Sequence, residues 1–139
     1  MDLALLDTDT LSEILKQRNP QVVANAAEYL RGHRQFAFSV FTRFEIARGH
    51  KENRATTLLA RFQVFCQHSL IVPVSDAIFD RAEDLWAYAR RGGHAHNDAD
   101  LIIAATALES GRTLVTGNTA HFSWIPGLVL EDWRQPQWK

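Results

Sequence analysis

Residues 96–118 read HNDADLIIAATALESGRTLVTGN. Two aspartates, Asp98 and Asp100, stand in front of a nearly unbroken apolar run. The "DLIIAATALES" segment reads as a helix, Gly111 as its stop, and "TLVT" at 113–116 as a strand. A strand this apolar has both faces buried, which is the mark of a parallel sheet covered by helices. One side chain is enough to cap the helix, so the second acid calls for another use.

Moving outward, the same alternation fills the chain. "LALL" at 3–6 reads as a buried strand, and Thr10-x-x-Glu13 has the spacing of a capping box opening a short helix toward Lys16. Asn19 and Pro20 form an N-cap and first-turn pair for "PQVVANAAEYLR", with Gly32 as its stop. "FAFSV" at 36–40 is a second strand, followed by a helix from Thr42 to Arg48 stopped by Gly49, and a longer helix from Lys51 to Gln67. "LIVPV" at 70–74 is a third strand, its proline pointing to an edge or a strand end. Ser75 caps a helix to Arg91, "RRGGHAH" breaks it, and "LVL" at 128–130 is a weak fifth strand. Strands separated by helices imply an α/β fold, a three-layer α/β/α domain around a central parallel sheet. Residues 1–139 read as one domain.

Composition sets bounds on function. Apolar residues are 46% and charged residues 22% of 139, ordinary for a globular chain with a sizeable core. The single cysteine, Cys66, permits no internal disulfide, and cytoplasmic residence is the expectation. The acidic start "MDLALLDTDT" lacks the basic region of a signal peptide, and no apolar run approaches the roughly 18 residues of a membrane span. With a net charge of −1, nucleic acid would have to be met by a local basic patch.

In open parallel sheets, ligands sit beyond the carboxyl ends of the strands. Asp7 directly follows "LALL", Glu45 lies near the start of the helix after "FAFSV", and Asp98 and Asp100 open the helix leading to "TLVT". Right-handed crossovers direct such positions toward one edge of the sheet. Carboxylates gathered there repel one another unless protonated or joined by a cation. Hard divalent ions take oxygen ligands, and the chemistry suited to the site is metal-assisted attack of water on a phosphodiester. Each acid also has a plainer use. Asp7 and Asp98 are placed to cap helices, and Glu45 favours the helix dipole from solvent. Their joint placement is the specific signal.

These residues resemble the PIN-domain ribonucleases and, within them, the VapC-type toxins. The resemblance rests on "LLDTDTLSE" at 5–13, "SVFTRFEIARG" at 39–49, "DLIIAATALESGRTLVTGNTAHF" at 100–122 and "IPGLVLEDW" at 125–133, and covers nearly the whole chain. It implies a divalent-metal endoribonuclease in which Asp7, Glu45 and Asp100 hold magnesium or manganese. The implied reaction is single-step hydrolysis of tRNA or another structured RNA, leaving a 5′-phosphate and a 3′-hydroxyl. Asp98 falls two places before the family's usual acid and reads as a cap or outer-shell group, with Asn97 competing for the cap. Many members carry a fourth acid where this chain has Asn118, so Asn118 and Thr116 are candidates for positioning water. Asp9 stands where the family favours asparagine, and reads as a helix cap or a group behind the ligands. Such toxins form homodimers and are silenced by a VapB antitoxin whose C-terminal segment blocks the acidic cleft; the resemblance implies both partners.

Arg90 and Arg91, with His94 and His96 on a glycine-flexed loop, are candidate phosphate contacts or a solvated helix end. Arg43 and Arg48 flank Glu45, with Arg48 expected on the face of Phe44 instead of Glu45. Trp133 and Trp138 near the chain end belong to the core or to an interface. Two other functions compete: a non-catalytic RNA-binding module on the same fold, and a phospho-acceptor receiver. The receiver would need a lysine after a late strand, and "TLVTG" has none.

Overall fold

The computed structural model describes residues 1–137. Five strands, β1 (Ala4–Leu6), β2 (Ala37–Ser39), β3 (Leu70–Val72), β4 (Thr113–Val115) and β5 (Leu130–Glu131), form one sheet in the order β3-β2-β1-β4-β5. Every neighbouring pair is parallel, and Leu6 pairs with Phe38 on one side and Val115 on the other. The strand with the proline behind it, β3, lies at the sheet edge. The helices are α1 (Thr8–Lys16), α2 (Pro20–His33), α3 (Val40–Glu52), α4 (Thr56–Gln67), α5 (Asp76–Gly92) and α6 (Asp98–Ser110), with a 3₁₀ turn at Thr119–His121.

Alternation along the strands divides the core between two faces. Ala4, Leu6, Phe38 and Val115 pack with Leu11, Ile14, Val22, Tyr29, Ile46, Phe62 and Trp133, under α1 to α4. Leu5 and Leu114 point the other way, into Ile78, Leu85, Leu101, Ile103 and Phe122 beneath α5 and α6. Each fully buried leucine contributes roughly 1.5–3 kcal/mol. Strands only three residues long are thus held more by packing than by their ladders. Ala104, Ala105 and Ala107 on α6 are fully buried, and their small side chains let the helix lie close to the sheet and to α5.

The caps at Asn19, Ser75 and Gly111 stand where the sequence puts them. Several boundaries differ. The Thr10–Glu13 capping box does not form, because the Asp7 carboxylate takes the Thr10 N–H and caps α1 three residues earlier. Asp9 therefore does not cap this helix. Gly32 lies inside α2, which ends at Arg34 in a left-handed conformation (φ 71°). Gly49 lies inside α3, and the break before α4 falls at Arg54 (φ 53°). Each glycine sits in open space, so packing on either side of it carries the helix through. Asn97, not Asp98, caps α6. Trp133 is a core residue at 1% exposure, while Trp138 lies outside the described residues. Among the described residues no helix is long and apolar enough to cross a membrane.

Candidate functional site

The chain passes from β1 to β2 on one side of the sheet and from β4 to β5 on the other, so the switch point falls between β1 and β4. Asp7 is the first residue beyond β1, and Thr116 the first beyond β4. Asp7 is 5% exposed, and its Oδ1 accepts the Thr10 N–H at 2.7 Å. Burial pushes its carboxyl above the usual aspartate range, partly offset by hydrogen bonds from Thr116 and Thr10. Thr116 is fully buried, and its hydroxyl also accepts the Asn118 N–H at 3.0 Å. It therefore orients the Asp7 carboxylate and the turn after β4 together.

Glu45 reaches the same region from α3. Its Oε1 accepts the Thr8 hydroxyl at 2.7 Å, and that hydroxyl lies 3.1 Å from the hydroxyl of buried Thr42. Oε2 is 3.8 Å from Nη2 of Arg48, whose guanidinium also stands 4.8 Å from the Phe44 ring. Arg48 thus touches both residues and not Phe44 alone, since positions three and four apart are both neighbours on a helix.

Asp100 sits in the first turn of α6. Its backbone N–H donates to Asn97 Oδ1 at 2.8 Å, and its Oδ2 accepts from Asn97 Nδ2 at 3.1 Å. His121 Nδ1 lies 3.6 Å from the same Oδ2 and 3.0 Å from the Asn118 amide nitrogen. Burial raises the Asp100 carboxyl, with His121 and then Asn97 drawing it back down. The charge of Asp9 acts on both Asp7 and Asp100, raising each, so the edge is acidic beyond its three principal carboxylates.

Other sequence candidates lie elsewhere. Asp98 lines a depression between α5 and α6 with Phe79, Trp86 and Ile102, turned toward an apolar face and away from Asp100's partners. The Arg90 guanidinium stands 5.1 Å from the Trp86 ring, and Arg91 is exposed. His94 joins a cluster of near-parallel rings with Tyr88 and Trp124, its centroid 6.1 and 4.9 Å from theirs, which are 6.1 Å from each other. Sequence reasoning assigned no role to Thr8, Thr42 or His121. The signals were present: Thr8 follows Asp7 directly, Thr42 is the threonine of "T-x-x-E", and His121 lies in the run containing Asn118.

Among the described residues no three acidic, histidine or cysteine side chains stand in ready metal-holding geometry. Each of the three carboxylates is engaged by its own hydrogen-bond partners instead. The donor chemistry nevertheless fits a hard divalent ion: all oxygen, and two carboxylates whose buried negative charge lacks a full counter-charge. On the Glu45 side a groove of about 740 Å³ opens between α1, α3 and α4, with Lys16, Arg18, His50 and Arg61 beside Leu58, Phe62 and Phe65.

Comparison with known proteins identifies the family and the fold. The PIN domain pattern matches residues 4–126. Ribonuclease VapC2 of Rickettsia felis is 26% identical over 130 residues, covering 93% of this chain and 96% of the relative. Ribonuclease VapC19 of Mycobacterium tuberculosis is 29% identical over 126 residues, covering 91% and 97%. A crystal structure of VapBC2 from Rickettsia felis, bound to a DNA fragment from its promoter, shares the fold with a TM-score of 0.84 at 22% identity, covering 94% of this chain and 98% of that one. With a central parallel sheet, acids at its switch point and a family pattern spanning residues 4–126, this chain belongs to the PIN-domain family, where its likeness runs to the VapC-type ribonucleases.

Proposed function

We propose that this chain is a metal-dependent endoribonuclease, the toxin of a toxin–antitoxin pair, acting on tRNA or another structured RNA. What supports the reading is that Asp7 and Asp100 both lie within the field of Asp9 at the sheet's switch point, while Glu45 on α3 is tied to Thr8, the residue next to Asp7. Its VapC ribonuclease relatives, and the VapBC complexes among its structural neighbours, support the reaction class and the VapB-type partner.

A magnesium or manganese ion held by Asp7, Glu45 and Asp100 would supply Lewis acidity at the phosphoryl oxygen and lower the pKa of an attacking water. The protein's part is to hold its acids in position. Thr116 and the Thr10 N–H fix Asp7, Thr8 fixes Glu45, and Asn97 with His121 fix Asp100. Asn118, exposed on the turn that the buried Thr116 braces, is the group placed to orient water, and Arg90 and Arg91 add cations at the end of α5.

The groove beside Glu45, apolar with four cationic or histidine side chains at its rim, suits an antitoxin segment carrying both apolar and acidic residues. Phe79 and Trp86 on α5, 48% and 45% exposed, offer apolar surface for a homodimer. A single cysteine, which permits no internal disulfide, is in keeping with residence in the cytoplasm.

The test is cleavage of purified tRNA and ribosomal RNA with and without magnesium or manganese, comparing the wild type with Asp100→Asn and Asp98→Asn. Metal-dependent cleavage lost in Asp100→Asn and kept in Asp98→Asn is the expected result. Loss through Asp98→Asn alone would move the third ligand. RNA binding without cleavage in either metal would favour a non-catalytic module.

A further inference from the structure

One cation is built into the acidic edge. Arg134 follows Trp133, whose ring anchors the chain end in the core. Its guanidinium shares a depression with Asp9, Thr10, Glu13, Gly117 and Asn118, immediately beyond β1 and β4. Nε lies 3.2 Å from Asp132 Oδ1 and Nη2 lies 3.3 Å from Asp132 Oδ2, while Nη2 also donates to the Gly117 carbonyl. The same Asp132 Oδ1 accepts the Arg134 backbone N–H at 2.9 Å. The guanidinium is therefore braced on two sides before any ligand arrives.

Gly117 is the second observation. Its backbone is not in the left-handed region, so its conformation does not call for glycine. A Cβ at position 117 would stand 2.7 Å from Arg134 Cζ and 2.9 Å from its Nε, so the end of the arginine side chain would have to move aside. The missing side chain is what lets the guanidinium lie against the turn after β4. Among the described residues Nη1 enters none of these bonds, and the side chain is 46% exposed. Asp132 first, then Glu13 and Asp7, hold the group firmly charged, so it lies within the field of the buried acid.

A strand of RNA approaching this edge meets Asp7, Asp9, Glu13 and Asp100, and needs a fixed positive charge to offset them. A guanidinium whose Nε and Nη2 are already engaged keeps Nη1 to donate to a phosphodiester oxygen, with its full charge behind that bond. We propose that Arg134, seated against Gly117 and Asp132, receives a backbone phosphate of the bound RNA through Nη1 and so sets the strand's position over the acids. This rests on the ribonuclease reading and goes beyond it by naming a binding residue. Arg134 takes no proton and touches no reacting atom.

The experiment measures binding of fluorescently labelled tRNA by anisotropy in EDTA, where nothing is cut, across a series of salt concentrations. Arg134→Gln is expected to weaken binding roughly fivefold and to lower the slope of log Kd against log salt by about 1. Arg134→Lys restores most of the salt slope, because the charge returns. Gly117→Ala keeps every charge yet displaces the guanidinium, and weakens binding to a similar extent. In magnesium, the loss for Arg134→Gln falls in KM more than in kcat. Unchanged affinity and salt slope in Arg134→Gln, with wild-type cleavage intact, would overturn the proposal and leave Arg134 as a brace for the chain end. A wild type that neither binds nor cuts RNA would overturn the ribonuclease reading, and this proposal with it.

Discussion

Oδ1 of Asp7 takes the backbone N–H of Thr10 at 2.7 Å, so one carboxylate both caps α1 and faces the switch point. The two roles make different demands. Asparagine caps a helix about as well as aspartate, but contributes no charge.

Asp7→Asn and Asp7→Ala therefore separate them. Burial raises the Asp7 carboxyl in the folded chain. Between the ordinary and the raised value the native state binds the extra proton, so stability falls as pH rises through that window and stays lower above it. Asp7→Asn is expected to unfold at a higher temperature than the wild type at pH 7, the gap closing as pH falls through the carboxylate range. RNA cleavage is lost in the same variant. Asp7→Ala loses the cap, about 1 kcal/mol, and unfolds below Asp7→Asn. Thermal unfolding between pH 3 and pH 8 checks the order, and a wild type more stable than Asp7→Asn at neutral pH would sink the argument.

Glu45 depends on a neighbour from another element. The Thr8 hydroxyl donates to its Oε1 at 2.7 Å, next to the fully buried Thr42. Removing a group that orients a metal-ligating carboxylate typically lowers activity about 10- to 100-fold. Thr8→Val is expected to fall in that range, at a stability loss of about 1 kcal/mol, while Thr8→Ser keeps most of the activity. Steady-state cleavage rates beside a denaturant melt make the comparison. Equal activity in Thr8→Val and the wild type would mean that Glu45 needs no such support.

For Asp100 the relevant partner is His121, whose Nδ1 lies 3.6 Å from Oδ2. Burial raises this carboxyl and the histidine lowers it. His121→Gln removes the lowering influence, so Asp100 holds its proton to a higher pH. The acid limb of the cleavage profile should move upward in pH, and the ¹³C titration of the Asp100 carboxyl should move with it. A carboxyl titration unchanged by His121→Gln would show that the imidazole leaves Asp100 untouched.

The parallel sheet and its two buried faces were legible in the sequence, because apolar strands such as "LALL" and "TLVT" leave no solvent face. The helix ends were less so. Gly32 and Gly49 look like stops, yet packing carries α2 and α3 through them, and the left-handed positions fall on Arg34 and Arg54. The places of Asp7, Glu45 and Asp100 in the fold were legible because each is fixed by local pattern: Asp7 just after β1, Glu45 in the helix after β2, and Asp100 in the first turn of the helix before β4. Asp98 was misplaced because two residues along a helix turn a side chain by about half a circle, here toward Trp86. Arg134 was invisible for a different reason. Its place depends on where β5 returns beside β4, a long-range pairing that no local pattern encodes.

That return is held by Trp133. The ring packs 5.3 Å from Tyr29 and 6.4 Å from Phe36, and its Nε1–H donates to Glu131 at 3.0 Å. Asn25, 4% exposed on α2, donates to the Trp133 carbonyl at 2.8 Å and to the Gln135 carbonyl at 2.9 Å. Trp133→Ala is expected to cost about 3–5 kcal/mol through the cavity it leaves. Asn25→Ala frees two backbone carbonyls to seek water, at a loss of about 1–3 kcal/mol. Both substitutions loosen the same segment, so the double variant should lose less than the sum of the singles. Denaturant unfolding of the four proteins measures the difference. Strict additivity would mean that Asn25 and Trp133 hold the chain end independently, and that loosening one leaves Arg134 where it stands.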